Sequence, residues 1–435
     1  MQPNYYKKLV SIFIPNTLIQ NFDDRIEMTQ ENQIKSVHEL KKIATDYYQN
    51  LDEASKDPHK KVAWCSSVGP AELLLAFDFN VYYPENHTAI LGASRSANKY
   101  IPLAVAQGYS PEICSYLTSD IGAYLKNETG LQRAYGIEKV PKPDVLIFNT
   151  NQCRDVQDWF NYYAREFQVP ILGVNSPTFI DELSNTHFKT VEEQLKDIAE
   201  TLEKITDQSF ERKKLENKLQ LSLECSNKWN SVLETASSIP SPLTFFDGCI
   251  HMLPAVVLRG TQIAVDYYNM LEQELKLRIE NGIAAVAEES FRCFWEGMPI
   301  WGKLRALSNQ FSELKTCIVA STYCNSWIFS DFNPQEPFRS MAKAYTELFI
   351  NRSESSKEKY LKKMVDKFSI DGMIYHNART CPNNSNTNYG LPKRLENLTG
   401  IPSLQIDADL NDLNVYSEEQ TKTNIEAFIE QLAGI

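Results

Sequence analysis

The feature that most constrains this chain is an alternation. Short apolar runs rich in β-branched and aromatic residues are each followed by a longer helical stretch. Four such runs fall at residues 61–67, 80–83, 143–150 and 169–174, and four more at 291–296, 315–322, 371–377 and 403–407. Runs this short, bounded by turn residues, read as buried strands. Strands separated by helices force right-handed crossovers, which give mainly parallel sheets with helices on both faces. The expected fold is α/β, with two doubly wound, mainly parallel-sheet domains, a helical N-terminal segment and a long helical connector. A chain of 435 residues has the length for two such domains.

The expected boundaries are a helical segment over 1–60, a first α/β domain plus connector over 61–240, and a second α/β domain over 241–435. In the connector, Val191, Leu195, Ile198, Leu202 and Ile205 step by fours and threes and form one packing stripe. Asp207 and Ser209 interrupt it, which argues against a long coiled coil. Pro240-Ser-Pro242 is the clearest boundary signal, and 243–289 returns to helical pattern. Further helix starts are expected at Pro70, near residue 94, at Ser110-Pro111-Glu112, at Gly390 with Pro392, and at a capping box Ser417-x-x-Gln420.

Charge and cysteine usage exclude several classes. With 44 basic and 56 acidic residues the net charge is −12, which argues against nucleic-acid and anionic-membrane partners. No run of about 18 apolar residues is present, so no membrane span is expected. Lys7 and Lys8 precede an apolar run, but Pro15 ends it early and no small-residue cleavage site follows, so it reads as a strand in a cytoplasmic protein. The nine cysteines are an odd number and point to reduced thiols or metal ligands rather than a disulfide framework. No C-x-x-C, no G-x-G-x-x-G and no phosphate-binding P-loop occurs.

Several reactive side chains fall just past strand ends or at helix starts. Cys381 lies beyond the strand at 371–377, where open α/β sheets bind ligands; the other reading is a buried free thiol. Cys114 falls in the first turn of the helix expected from Ser110, a setting that favours thiolate, or else belongs to a core stripe with Leu117 and Ile121. Cys153 follows the strand at 143–150, Ser66 and Ser67 follow the first strand, and Glu85 follows the second. A cleft between two domains could gather them. Ser67 also reads as a helix N-cap, Glu85 as a turn cap, and His376 as a satisfied core histidine. Asp407, Asp409 and Asp412 read as loop caps rather than a cation site. Three thiolates can hold three irons of a [4Fe–4S] cluster and leave one open, though the spacing here forms no compact motif.

From about Val62 to its C-terminus the sequence resembles the 2-hydroxyacyl-CoA dehydratase and benzoyl-CoA reductase subunits. The resemblance rests on Trp64-Cys-Ser-Ser-Val, Tyr83-Pro-Glu-Asn86, Tyr109-Ser-Pro-Glu-Ile-Cys114, Pro143-Asp-Val-Leu and Cys153 with Trp159-Phe160. It continues through Arg259-Gly260, Glu296-Gly-Met-Pro-Ile-Trp301 and Asp371-Gly with Arg379-Thr-Cys381. It implies a [4Fe–4S] cluster held by Cys114, Cys153 and Cys381, a homologous second iron–sulfur subunit in a heterodimer, and an ATP-hydrolysing iron–sulfur activator. The implied substrate is an acyl-CoA or aryl-CoA thioester, reduced by one electron to a ketyl-type radical. Ser67 matches a serine near the open iron and Glu85 the candidate acid/base residue, while His376 and Arg379 match the dehydratase version. A dehydratase, that is a lyase, is favoured. The stretch from Cys114 to Gly122, and Arg259-Gly-Thr with Asp266-Tyr-Tyr, look more like the reductase, an oxidoreductase that dearomatises an aryl ring. The other six cysteines are expected to be structural. Two rival readings are a non-catalytic iron–sulfur electron-transfer subunit and a metal-free α/β protein binding a small ligand.

Overall fold

The computed structural model describes residues 34–178 and 181–434. The strand expected after Lys8 lies outside these residues. All eight other strands form, most of them slightly trimmed, β5 as expected, and β7 and β8 running one residue further: β1 (Val62–Cys65), β2 (Asn80–Tyr82), β3 (Val145–Asn149), β4 (Ile171–Val174), β5 (Phe291–Glu296), β6 (Thr316–Ser321), β7 (Gly372–Ala378) and β8 (Ser403–Ala408). They make two four-stranded sheets, in the orders β2-β1-β3-β4 and β6-β5-β7-β8. Every pairing is parallel. The two sheets therefore share one winding.

Burial follows position in the sheet. The inner strands β1 and β3 are buried along their whole length, as strands covered by helices on both faces must be. The edge strand β8 alternates, turning Gln405 and Asp407 outward, which suits an edge that must not recruit another strand. In each sheet the strand order reverses beside the first strand, between β1 and β3 and between β5 and β7. Crossovers leave on opposite faces there and open a crevice at the carboxyl ends of the strands.

The region expected as one long helical connector is two helices, Asn185–Thr206 and Arg212–Glu234. Asp207 takes a left-handed conformation (φ 55°) and ends the first. Val191, Leu195, Ile198 and Leu202 are buried, so the stripe packs as its spacing requires. The second helix lies against Gln262–Glu280 and Ala71–Ala76.

Local starts were less predictable. The helix expected from Ser110 begins at Ser115, with Cys114 as its N-cap. The Ser110 hydroxyl accepts only the Glu112 N–H, at 3.1 Å, and closes a tight turn. Glu112 leaves the helix axis to pair with Arg379, whose Nε donates to Oε2 at 3.0 Å. The capping box at Ser417 does not form: Ser417 caps without a side-chain bond, and Gln420 Nε2 donates forward to Asn424 Oδ1 at 2.7 Å. A helix over Pro84–Ala93 has no counterpart in the sequence reading, although a proline and then a glutamate in the first turn are its signature.

At the end of β5, Glu296 is fully buried, accepts from Asn386 Nδ2 at 2.7 Å through Oε1, and keeps Oε2 without a partner. Burial pushes its carboxyl up from 4.5 to about 7, so the folded state favours the protonated form. Its stabilising contribution is full below pH 4.5 and is lost as pH rises through about 7. Glu296→Gln, never charged, is expected to gain stability relative to wild type between about pH 5 and about pH 8, on the order of 2 kcal/mol. Urea midpoints at the two pH values test this; a pH-independent difference would refute it.

Candidate active site

A chamber of about 140 Å³ lies where the carboxyl ends of the two sheets meet. The turn after β1 contributes Ser67, the turn after β3 Gln152 and Cys153, the loop after β5 Met298 and Trp301, and the segment after β7 Cys381 and Asn384. Helix starts contribute Glu85 and Cys114. Ser67, Glu85, Cys114, Cys153 and Cys381, far apart in sequence, thus line one space.

The neighbours of the three cysteines are sewn together in pairs. The Cys114 N–H donates to Asp155 Oδ2 at 3.2 Å, two residues past Cys153. Asn383 Nδ2, two residues past Cys381, donates to the Gln152 carbonyl at 3.3 Å. Ser115 N–H donates to Thr380 Oγ1 at 3.0 Å, joining the flanks of Cys114 and Cys381. Asp409 locks this last joint: it accepts from Thr380 N–H at 2.8 Å, from Thr380 Oγ1 at 2.6 Å and from the Ser115 hydroxyl. It also accepts the N–H groups of Asn411 and Asp412, both at 3.1 Å, so the loop-capping reading of Asp409 describes part of its work. Asp409→Ala strands these buried donors and is expected to cost about 3 kcal/mol or more, read as a lowered melting temperature. A shift within that of ordinary surface variants would contradict it.

The helix-start setting of Cys114 suggested a lowered thiol pKa, but the opposite is found. Burial first, then Cys153 and Cys381, push it well up, and only the Leu117 N–H opposes them. Burial likewise pushes Cys153 up to about 12, against the Val156 and Asp155 N–H groups. Burial and then Cys153 push Cys381 up, against the Asn384 N–H. Each sulfur therefore faces backbone N–H groups at the start of a helical turn, yet stays a neutral thiol unless a cationic group binds it.

Glu85 sits in the first turn of Pro84–Ala93. Its Oε1 accepts the Ser67 N–H at 2.9 Å, while Oε2 is buried and has no partner among the described residues. Burial pushes the carboxyl up to about 7, outweighing the Ser67 hydrogen bonds. Ser67 is not the cap of the next helix: Ala71–Ala76 starts from Pro70 with no side-chain cap. The β1 turn is braced from the other half of the chain. Arg259 Nη2 donates to the Gly69 carbonyl at 2.7 Å, and its Nε meets Glu72 Oε1 at 3.2 Å in a buried pair. A Cβ at Gly69 would come within 2.7 Å of Cys65 Sγ, so the turn requires glycine.

Other candidates stand outside the chamber. His376 is buried in β7, its Nδ1 2.6 Å from the Met298 carbonyl, with burial holding it neutral. Its Nε2 lacks a partner among the described residues, so the core-histidine reading holds for burial but not for full satisfaction. Arg379 is exposed and engaged with Glu112. Of the cysteines expected to be structural, Cys249 also lines the chamber; the other five are buried away from its lining. The sequence reading missed Asn86, Gln152 and Trp327. Each lines the chamber and has a buried polar atom without a partner among the described residues, and such atoms carry no signature in a linear sequence.

Among the described residues, no three His, Cys, Asp or Glu side chains gather tightly enough for a single metal ion. The three thiols around one chamber instead suit a larger thiophilic group, whose ligand sulfurs stand further apart than those around one ion. Among the described residues, no helix is long and apolar enough to cross a membrane.

The two parallel sheets of this α/β chain thus bring a thiol-lined chamber to the carboxyl ends of their strands, where open α/β sheets take their ligands. Residues 66–432 match the profile of the family described as 2-hydroxyglutaryl-CoA dehydratase, D-component, and the chain belongs to that family. It is 28% identical to the (R)-2-hydroxyisocaproyl-CoA dehydratase alpha subunit of Clostridioides difficile over 393 residues, 89% of this chain and 94% of that one. It is 29% identical to the (R)-phenyllactyl-CoA dehydratase alpha subunit of Clostridium sporogenes over 413 residues, 94% of this chain and 98% of that one. Identity to a subunit of the benzoyl-CoA reductase of Thauera aromatica is 24% over 411 residues, 91% of this chain and 94% of that one.

Proposed function

We propose that this chain is the [4Fe–4S] subunit of a radical 2-hydroxyacyl-CoA dehydratase, with Cys114, Cys153 and Cys381 each holding one iron. The observation that carries the reading is the convergence of these thiols on a chamber that also contains a carboxyl with an unpartnered oxygen. When bound, such a cluster supplies single electrons and, at an iron without a protein ligand, a Lewis acid.

The chain's own residues do the rest. Glu85, near neutrality in pKa, is suited to take a proton from the substrate and return one. The Ser67 hydroxyl donates to a substrate oxygen without adding charge, and Gln152 Nε2 and Trp327 Nε1 offer further neutral donors. The apolar walls exclude water and so protect a radical from quenching.

A wider cavity of about 740 Å³ shares Ser326, Leu348 and Phe349 with the chamber and runs along the helix Glu354–Phe368. Its rim carries acids and bases. Asp331 is paired with Lys343 and Glu234 with Lys367, both at 2.6 Å, whereas Lys359 and Lys363 have no ion pair among the described residues. An apolar inner room bordered by an outer one, whose Lys359 and Lys363 lie in electrostatic reach of Asp181 and Glu234 without a close ion pair, suits a thioester whose far end bears phosphates.

The alpha-subunit names of the relatives support a partner subunit, which the family resemblance implies is a homologous iron–sulfur chain. The electron donor that the family resemblance implies is a separate ATP-hydrolysing iron–sulfur activator, in keeping with a sequence that carries no phosphate-binding loop of its own. Reduced thiols fit a cytoplasmic setting. The similarity to the benzoyl-CoA reductase keeps an aryl-CoA reductase as the second reading. Anaerobic turnover with activator and ATP decides between them. Dehydration of a 2-hydroxyacyl-CoA with catalytic electrons supports the proposal; ring reduction of benzoyl-CoA with stoichiometric electrons replaces it. Turnover without an activator would contradict the electron route.

A further inference from the structure

We infer that the chamber takes an uncharged, apolar acyl group, branched aliphatic or aryl, and rejects one bearing a second carboxylate. This rests on the thioester reading above, and it runs against the hydroxyglutaryl description of the family. Among the described residues the lining contains no lysine, arginine or histidine, but it does contain two acids, Glu85 and Asp155. Much of the rest of the lining is apolar or aromatic, with Met252, Leu253, Val256, Trp301 and Tyr323 among it.

Cations close to the wall are committed elsewhere. Arg259 is only 2% exposed; its guanidinium holds the Val256 carbonyl at 2.7 Å and the Gly69 carbonyl at 2.7 Å, beside Glu72. Lys357 is buried and donates to Asn386 Oδ1 at 2.7 Å. His376, behind Met298, is held neutral by burial. The donors the chamber offers, among them Ser67 Oγ, Gln152 Nε2 and Trp327 Nε1, are neutral, so they can hydrogen-bond a carboxylate but bring no counter-charge to it. A second carboxylate would therefore be desolvated near two acids with no counter-charge, while an alkyl or aryl chain gains by burial.

Tryptophan emission reads the chamber, because Trp159, Trp301 and Trp327 all line it. The protein in its native assembly, kept anaerobic, is titrated with 4-methylpentanoyl-CoA, 3-phenylpropanoyl-CoA, glutaryl-CoA and CoA alone. The two apolar thioesters are expected to bind at least about tenfold more tightly than glutaryl-CoA and than CoA. Glutaryl-CoA binding as tightly as the apolar thioesters would overturn the inference and leave the thioester reading standing. If no thioester binds, both fall. A folded Met252→Lys protein should narrow the gap by at least about tenfold. If it rejects glutaryl-CoA as strongly as wild type, the charge argument is overturned; if it does not fold, the wild-type titration decides alone.

Discussion

Replacing Cys381 by alanine is expected to abolish turnover and strip the protein of most of its iron, while leaving the fold nearly intact. The separation of these effects follows from how the site is built. The joints between the cysteine flanks use Asp155, Asp409, Thr380 and the Gln152 carbonyl, and none of them uses a sulfur. Losing one thiol therefore removes a ligand without opening the chamber. Cys114→Ala and Cys153→Ala should behave alike, whereas Cys249→Ala, which changes a different wall, should keep its iron. Iron and acid-labile sulfide per chain, beside a thermal melt, check the set. Full iron and full turnover in any of the first three would remove that residue from the ligand set.

Glu85→Gln is expected to keep the cluster spectrum and lose turnover by about 10²–10⁴, the usual span for one acid/base group. The glutamine retains the volume and can still accept the Ser67 N–H, so the β1 turn keeps its brace. What it loses is the titration. With its carboxyl pushed up to about 7 by burial, Glu85 is increasingly ionised as pH rises through that value, so a rate needing the base rises across about pH 7 in wild type. That limb should be absent in the variant. Ser67→Ala leaves the backbone bond to Glu85 and should weaken substrate positioning more than proton transfer. Near wild-type turnover in Glu85→Gln, with the limb unchanged, would take Glu85 out of the mechanism.

The strands were legible because their apolar runs are bounded by turn residues, and the eight parallel strands follow from that pattern alone. The shared winding of the two sheets was not, since strand order depends on the faces to which crossovers pack rather than on local sequence. Cys114, Cys153 and Cys381 could be named as ligands only through family resemblance; their convergence is a property of two sheets meeting end to end. Local physics also misled at Cys114. A helix start promised a thiolate, but desolvation and two neighbouring thiols act in the opposite sense and are larger. Ser110 and Ser417 carried cap signatures that other partners overrode, the distant Arg379 drawing Glu112 away and Asn424, one turn on in the same helix, engaging Gln420. The lining residues Met252, Leu253 and Val256 were invisible as chemistry because they are ordinary core in composition and gain a role only by lining the same chamber as the thiols.

The central claim, that three cysteines of this chain hold a [4Fe–4S] cluster, is tested most directly by iron and sulfide analysis with Mössbauer spectroscopy on anaerobically purified protein. The account predicts about four irons and about four sulfides per chain, with one iron site distinct from the other three. A preparation of the folded chain, reconstituted with iron and sulfide, that holds neither, or that holds a single tetrahedral ion instead, would contradict it.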